Sequence, residues 1–298
     1  MLKFGFIQLV LLPVLLVFPS YKAGVFFSKN YLKHYSQIAI ADSINSGKQN
    51  FSQNFTKLRL ARQGDTIQTR YLGRKARLCA CSANSLFFAN NTKIFLISQD
   101  TTISQDLLVP IKDLDTYAGL INSVLTAGNQ ILIFDNFLQQ LSTVDLNAPG
   151  IYSPLHLKIL SSSDLAVYND FDGQIYVINF LNSKIRFKIP VQNYTDVKSI
   201  SFDGQNIFFL SNDKIFKITP LQQIKFVTQV AGAIQIATIA GNLWVLTGKQ
   251  IVLIKKDLKK RFFLDRNFTA ICGQRGNQLI LKAQNSQLYA TVGLGLIR

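Results

Sequence analysis

Glutamate is missing from this chain: all 16 acidic residues are aspartates, set against 32 lysines and arginines. The absence removes every glutamate-based acid, base or metal ligand, including the bidentate carboxylate that completes a calcium loop. Histidine occurs only as His34 and His156, so a neutral-pH base would have to be one of these two. Methionine stands only at position 1. Scarcity of Glu and Met removes strong helix formers, whereas Phe, Ile, Val, Tyr and Thr, which suit a pleated and half-buried surface, are plentiful. The balance is that of an all-β chain. Charged residues make up 16% and hydrophobic residues 48%, too apolar for a disordered polymer. A length of 298 residues can bury one large all-β domain or two smaller ones.

The N-terminus "MLKFGFIQLVLLPVLLVFPSYKAG" holds one early lysine and then an almost unbroken apolar run from Phe4 to Phe18. Such a run is short for a bilayer span and matches a signal-peptide core. A cut after Ala23 would put bulky Tyr21 three residues before the bond, so retention as an anchor extending through Phe27 is the other outcome. Lys22, Lys29 and Lys33 follow the run and would hold the C-terminal part on the cytoplasmic side if the segment stays. The length of the run favours export. The expected organisation is a signal peptide or anchor over 1–27, formed as a hydrophobic helix, a linker over 28–65, and one β domain over 66–298.

That domain repeats. "DGQIYVINF" from Asp172 has counterparts in "NTKIFLIS" from Asn91, "QQLSTVD" from Gln139, "NDKIFKITP" from Asn212, "GKQIVLIKK" from Gly248 and "NSQLYATVG" from Asn285. A second apolar strand precedes each, as in "NSLFFAN" at Asn84, "NQILIFD" at Asn129 and "NLWVLTG" at Asn242. Two more apolar stretches flank each pair, clearest from Asp196 to Gln229. Four short strands at a fixed period are the mark of a propeller blade, and six units predict a β-propeller of about six four-stranded blades. The last unit stops after its third strand. "TIQTRYLG", Thr66 to Gly73, precedes the first unit with an outer strand's alternation and is expected to close the ring against Leu288–Val292.

Cys79 and Cys272 fall at equivalent positions in the first and last units, which closure makes neighbours. A packed side-chain layer between blades would hold them beyond disulfide reach, so all three cysteines, with Cys81, are expected as buried free thiols.

"LAVYNDFDGQIYVINFLNSKIRFKIP", Leu165 to Pro190, resembles a repeat of the PQQ-like propellers, with the NHL-type repeat a near relation. The resemblance covers residues 76–298 as an architecture and one unit as a motif. Phe187 stands where that family places a tryptophan, and the only tryptophan is Trp244 in another strand, so cofactor binding is not carried over. Cofactor-free members of the family resemble scaffolds, including periplasmic ones that dock on envelope assembly machines.

No catalytic, cofactor or metal site emerges. "NDFDG" at Asn169 begins like a calcium loop but is followed by a strand with no acid to complete it, and reads as a hairpin turn. Asp135, Asp164 and Asp203, near strand ends, are the crude candidates if the chain is instead a hydrolase or lyase acting on a sugar or ester. What stands out is positive charge, +16 formally. It gathers in Lys57, Arg59, Arg62, Arg70, Arg74, Lys75 and Arg77 before the first unit, and in Lys255, Lys256, Lys259, Lys260 and Arg261 in the fifth. Ring closure would bring the two clusters together as one surface for an anionic partner. The expected function is therefore a non-catalytic propeller scaffold, membrane-tethered or exported, that holds a protein partner in a membrane or envelope assembly. Anionic lipid or an acidic polymer comes next as a partner, and nucleic acid, bound on the cytoplasmic side, comes last.

Overall fold

The computed structural model describes residues 64–98, 101–255 and 258–292, and these are all β structure and turns. The expected N-terminal helix therefore lies outside the described residues, as do Lys57, Arg59, Arg62, Lys256 and His34. No helix among the described residues is long and apolar enough to cross a membrane.

The chain begins with β1 (Thr66–Lys75). A first unit follows as β2 (Leu78–Cys81), β3 (Ser85–Asn90), β4 (Lys93–Ser98) and β5 (Thr101–Asp106). The second is β6 (Ile111–Tyr117), β7 (Ile121–Thr126), β8 (Gln130–Phe134) and β9 (Gln140–Asp145). The third is β10 (Pro154–Ile159), β11 (Asp164–Asn169), β12 (Gln174–Asn179) and β13 (Lys184–Pro190). The fourth is β14 (Val197–Phe202), β15 (Ile207–Ser211), β16 (Lys214–Ile218) and β17 (Ile224–Gln229), and the fifth is β18 (Gln235–Ile239), β19 (Asn242–Leu246), β20 (Gln250–Lys255) and β21 (Leu258–Leu264). The sixth has only β22 (Phe268–Arg275), β23 (Gln278–Ala283) and β24 (Gln287–Val292) of its own.

β1 supplies its fourth strand. It runs antiparallel to β24 from Gln68↔Val292 to Tyr71↔Tyr289, the pairing expected from sequence. Strand order departs from six separate sheets, however. Units two, three and four stand alone, while units five, six and one are joined into a twelve-stranded sheet. Two short parallel bridges make the joins. Thr66 and Ile67 pair with Phe263 and Leu264 before the chain turns onto β24, and Gly273 lies opposite Cys81. The second contact needs glycine, because a Cβ at Gly273 would sit 2.8 Å from the Cys81 carbonyl oxygen, at a φ of +138°.

The repeat assignment is corrected in the second unit. "NQILIFD" is its third strand and "QQLSTVD" its outer one, so the counterpart of Ile94 and Ile175 is Ile131 rather than Leu141. The true second strand, β7, reads INSVLT, and its Asn122 and Ser123 are fully buried. Two polar residues in a core strand hide it from an apolar pattern.

Middle strands are buried on both faces, because each unit packs between two others. β19 shows the period of two at work: Leu243 and Val245 point to the fourth unit, Trp244 and Leu246 to the sixth. All six apolar clusters among the described residues are of this shared kind. They lie between units one and two, two and three, three and four, four and five, five and six, and six and one.

The cysteine expectation is also corrected. Cys79 and Cys272 form a disulfide with Cα atoms 5.0 Å apart, and Cys81 is the free thiol. β22 is bulged against β23 between Ile271 and Gly273, which leaves Cys272 as the extra residue and turns its side chain toward β2. Inner strands also converge toward the axis, where no packed layer fits between them. The bond closes a loop with a sequence separation of 193 residues. Loss of such a link costs about 2–5 kcal/mol.

Cys272→Ser should therefore lower the thermal midpoint of oxidised protein, and dithiothreitol should lower the wild type to the same level while leaving the variant unchanged. A reductant effect of equal size in the variant would place the sensitivity elsewhere. Truncation to Ala76 removes β1 and bares the edge of β24; it should abolish the single cooperative transition seen by near-ultraviolet circular dichroism. A truncated chain that melts like the full one would show that β1 does not close the ring.

Candidate functional site

The six first strands, β2, β6, β10, β14, β18 and β22, meet in cyclic order, each packing on the next and β22 on β2. Between them lies a cavity of about 550 Å³ lined by residues from all six. β6, β10, β14 and β18 end their sheets, and β22 and β2 meet only at Gly273 and Cys81, so most backbone groups on these inner edges face the axis without a ladder partner.

Side chains of the neighbouring strand fill that need. The Leu157 N–H donates to Asp113 Oδ2 (2.8 Å) and the Ile159 N–H to Asp115 Oδ2 (2.8 Å), tying β10 to β6. Lys158 Nζ donates to Asp115 Oδ1 at 2.6 Å, so the buried carboxylate is paired with a cation. His156 Nε2 lies 2.9 Å from the Val197 carbonyl, which requires that nitrogen to carry the proton and ties β14 to β10. The Thr238 N–H donates to Ser201 Oγ (2.8 Å), and the Ile271 N–H to Gln235 Oε1 (2.5 Å). The disulfide continues the series from β22 to β2. Bonds of this kind to charged acceptors contribute about 1.5–3 kcal/mol each.

Two of the braces titrate away from their ordinary values. Burial pushes Asp113 up to about 7, against the lowering effect of the Leu157 and Leu114 N–H donors. Burial likewise holds His156 below the usual imidazole value, against the raising effect of its bond to Val197. Sequence reading passed over Asp113, Asp115 and Lys158, because nothing in "IKDLDTY" shows that its aspartates face an axis.

The crude acid candidates lie elsewhere. Asp135 Oδ1 accepts the Phe137 and Gln139 N–H groups (both 2.8 Å), and Asp203 Oδ1 those of Gln205 (2.8 Å) and Asn206 (2.7 Å). Asp164 pairs with Arg186 at 2.5 Å and accepts from Ser163 Oγ. None of the three lines the cavity. Among the described residues no group of three or more His, Cys or Asp side chains is placed to hold a metal ion.

The basic residues sit on the outside. Arg70, Arg74 and Lys75 are on β1, Arg77 follows it, and Lys255, Lys259, Lys260 and Arg261 are on β20 and β21. The β1–β21 register sets Arg261 beside the seam, where its carbonyl accepts the Gly64 N–H (2.9 Å). From Thr66↔Phe263 the parallel strands carry Arg70–Arg77 onward in one direction and Lys259 in the other.

No family model matches the chain, and no curated protein matches it in sequence at a significant level. Solved structures do match in shape. Regucalcin, a calcium-binding protein from Agrobacterium tumefaciens, aligns with a TM-score of 0.59 at 11% identity over 77% of this chain and 95% of that one. Virginiamycin B lyase from Staphylococcus aureus aligns at 0.55 and 13% identity, over 76% and 99%. BBS1N, in its complex with ARL6DN, aligns at 0.51 and 18% identity, over 71% and 76%. These are β-propeller proteins, and the likeness establishes that fold for this chain.

The axial braces predict a pH dependence of opposing parts. An aspartate near 7 when folded and near 4 when unfolded binds more protons in the native state, so stability falls as pH rises from about 4 to about 7. A histidine held below its unfolded value of about 6.5 acts in reverse: its stability is present above that pH and lost as pH falls. Below about pH 6.5 the two slopes oppose each other in the wild type. Asp113→Asn should leave a midpoint that climbs with pH, and His156→Gln one that declines. Identical profiles for the two variants would remove both residues as the source.

Proposed function

We propose that the chain is a closed ring of six propeller blades, the twelve-stranded sheet being three of them in contact, that acts as a non-catalytic scaffold. Its place is membrane-tethered or exported, and its partner is a protein of a membrane or cell-envelope assembly held against the mouth of the axial cavity. The observation that carries this reading is exposed apolar surface, in the cavity and on the third unit whose β10 lines it. Tyr152 (58% exposed) and Phe171 (72% exposed) project from the loop entering the third unit and from its β11–β12 turn, edge to face at 5.9 Å. Leu155 and Ile234, also exposed, line the cavity itself. Large apolar side chains gathered at the rim of a concavity favour protein association. Four of the ionisable groups lining the cavity support the same reading, since Asp113, Asp115, His156 and Lys158 already hold strands together.

Two features support export. The apolar run from Phe4 to Phe18 suits a signal segment, and a disulfide persists where thiols are oxidised. Binding of a protein by this fold has a parallel in BBS1N, whose structure is that of a complex with ARL6DN.

A photo-crosslinking residue placed at Phe171 in cells producing the protein should give one discrete adduct. The same residue at Leu181, exposed on the opposite set of turns, should give little. An adduct at Leu181 alone, or none at either position, would sink the cavity-mouth reading.

A further inference from the structure

The outer strands of the ring are not alike. On β13 Lys184, Arg186 and Lys188 are exposed. β17 exposes Lys225 and, at 59%, Phe226. On β21 Lys259, Arg261 and Phe263 alternate along one exposed face, and β1 exposes Arg70, Tyr71 and Arg74. These are consecutive units, three to six. β5 (TTISQD) and β9 (QLSTVD), in units one and two, contain no lysine or arginine at all. Lysine on an outer strand has a simpler reading, as a guard against edge-to-edge pairing. That reading leaves two bare edges unguarded, and it runs against exposed aromatic rings on three of the four basic strands.

We propose that the outer strands of units three to six form one basic and aromatic band that binds an acidic polysaccharide. The shape selects the polymer. Neighbouring units in a ring of six are turned by about 60°, so β13 and β1, three units apart, face opposite sides. A membrane touches only one side of such a rim. A flexible linear polyanion can follow it, with carboxylates or sulfates on the lysines and arginines, and the flat C–H faces of its sugar rings on Phe226, Phe263 and Tyr71. The choice of a glycan over a single-stranded nucleic acid rests on the exported reading above, drawn from the disulfide and the N-terminal run. It is helped by the aromatic spacing: at most one exposed ring per outer strand cannot stack successive bases, which is the source of affinity in single-strand grooves.

The test uses the oxidised full-length protein with polygalacturonate, oligodeoxythymidine and phosphatidylglycerol vesicles as probes. Polygalacturonate should bind best and weaken steeply with added salt, since exposed charges are screened within about 10 Å at 0.1 M. Replacing Lys184, Lys188 and Lys225 by Gln should lower its affinity by about tenfold. The double variant Phe226→Ser, Phe263→Ser should also lower it severalfold with no change in charge. Thermal unfolding of each variant checks that the exposed substitutions leave the fold intact. Wild-type affinity in both variants would overturn the band, whatever the outcome of crosslinking at Phe171. Tighter binding of the oligonucleotide or the vesicles would overturn the choice of glycan, in favour of nucleic acid or membrane.

Discussion

None of the six repeated units among the described residues owns a hydrophobic core. Every apolar layer is made by two neighbours, and the six layers form a closed circle in which unit six completes unit one through Leu86, Phe88, Ile280 and Leu288. A linear array of such units would need polar caps at both ends. A ring needs none, but only if its ends meet. That one requirement explains why the sixth unit borrows β1, why β1 also grips β21, and why a disulfide joins the same two units near the axis. Outer and inner edges of the seam are fastened separately.

The axis imposes a second demand. Apart from the bridge between Cys81 and Gly273, inner strands approach one another without forming ladders, and their free backbone groups are met by Asp, His, Ser, Thr and Gln side chains reaching across. A cluster of titratable residues around a cavity commonly suggests catalysis. Here the hydrogen bonds of Asp113 and His156 hold strands together, and burial raises the one and lowers the other against the opposing effect of their backbone partners.

Much of this was legible in the sequence because the repeat writes itself in turns and alternation. The pairing of Thr66–Gly73 with the last strand follows from counting strands, as do the hairpins of units three to six. The second unit was misplaced by one strand because Asn122 and Ser123, each buried and hydrogen-bonded to backbone carbonyls, interrupt β7. The disulfide was missed because it depends on a bulge, a local backbone choice that brings Cys272 across to Cys79. The aspartates of β6 carry no sequence mark of facing an axis. Charge is visible from composition alone, but the contrast between β13 and β5 takes on meaning only once both are known to be outer strands.

The seam also sets the order of events at synthesis. Of the described strands β1 is made first and its partner β24 last, so the growing chain carries an unmatched strand until the sixth unit is complete. That strand fits the open edge of any copy in the same condition. Two molecules that exchange β1 would each close with the right sequence in the right register, and nothing in the pairing of Tyr71 with Tyr289 tells self from neighbour. The axial bond acts at the same seam from the other side: Cys79 joined to Cys272 ties β2, which follows β1 in the chain, to β22 of the unit that β1 completes.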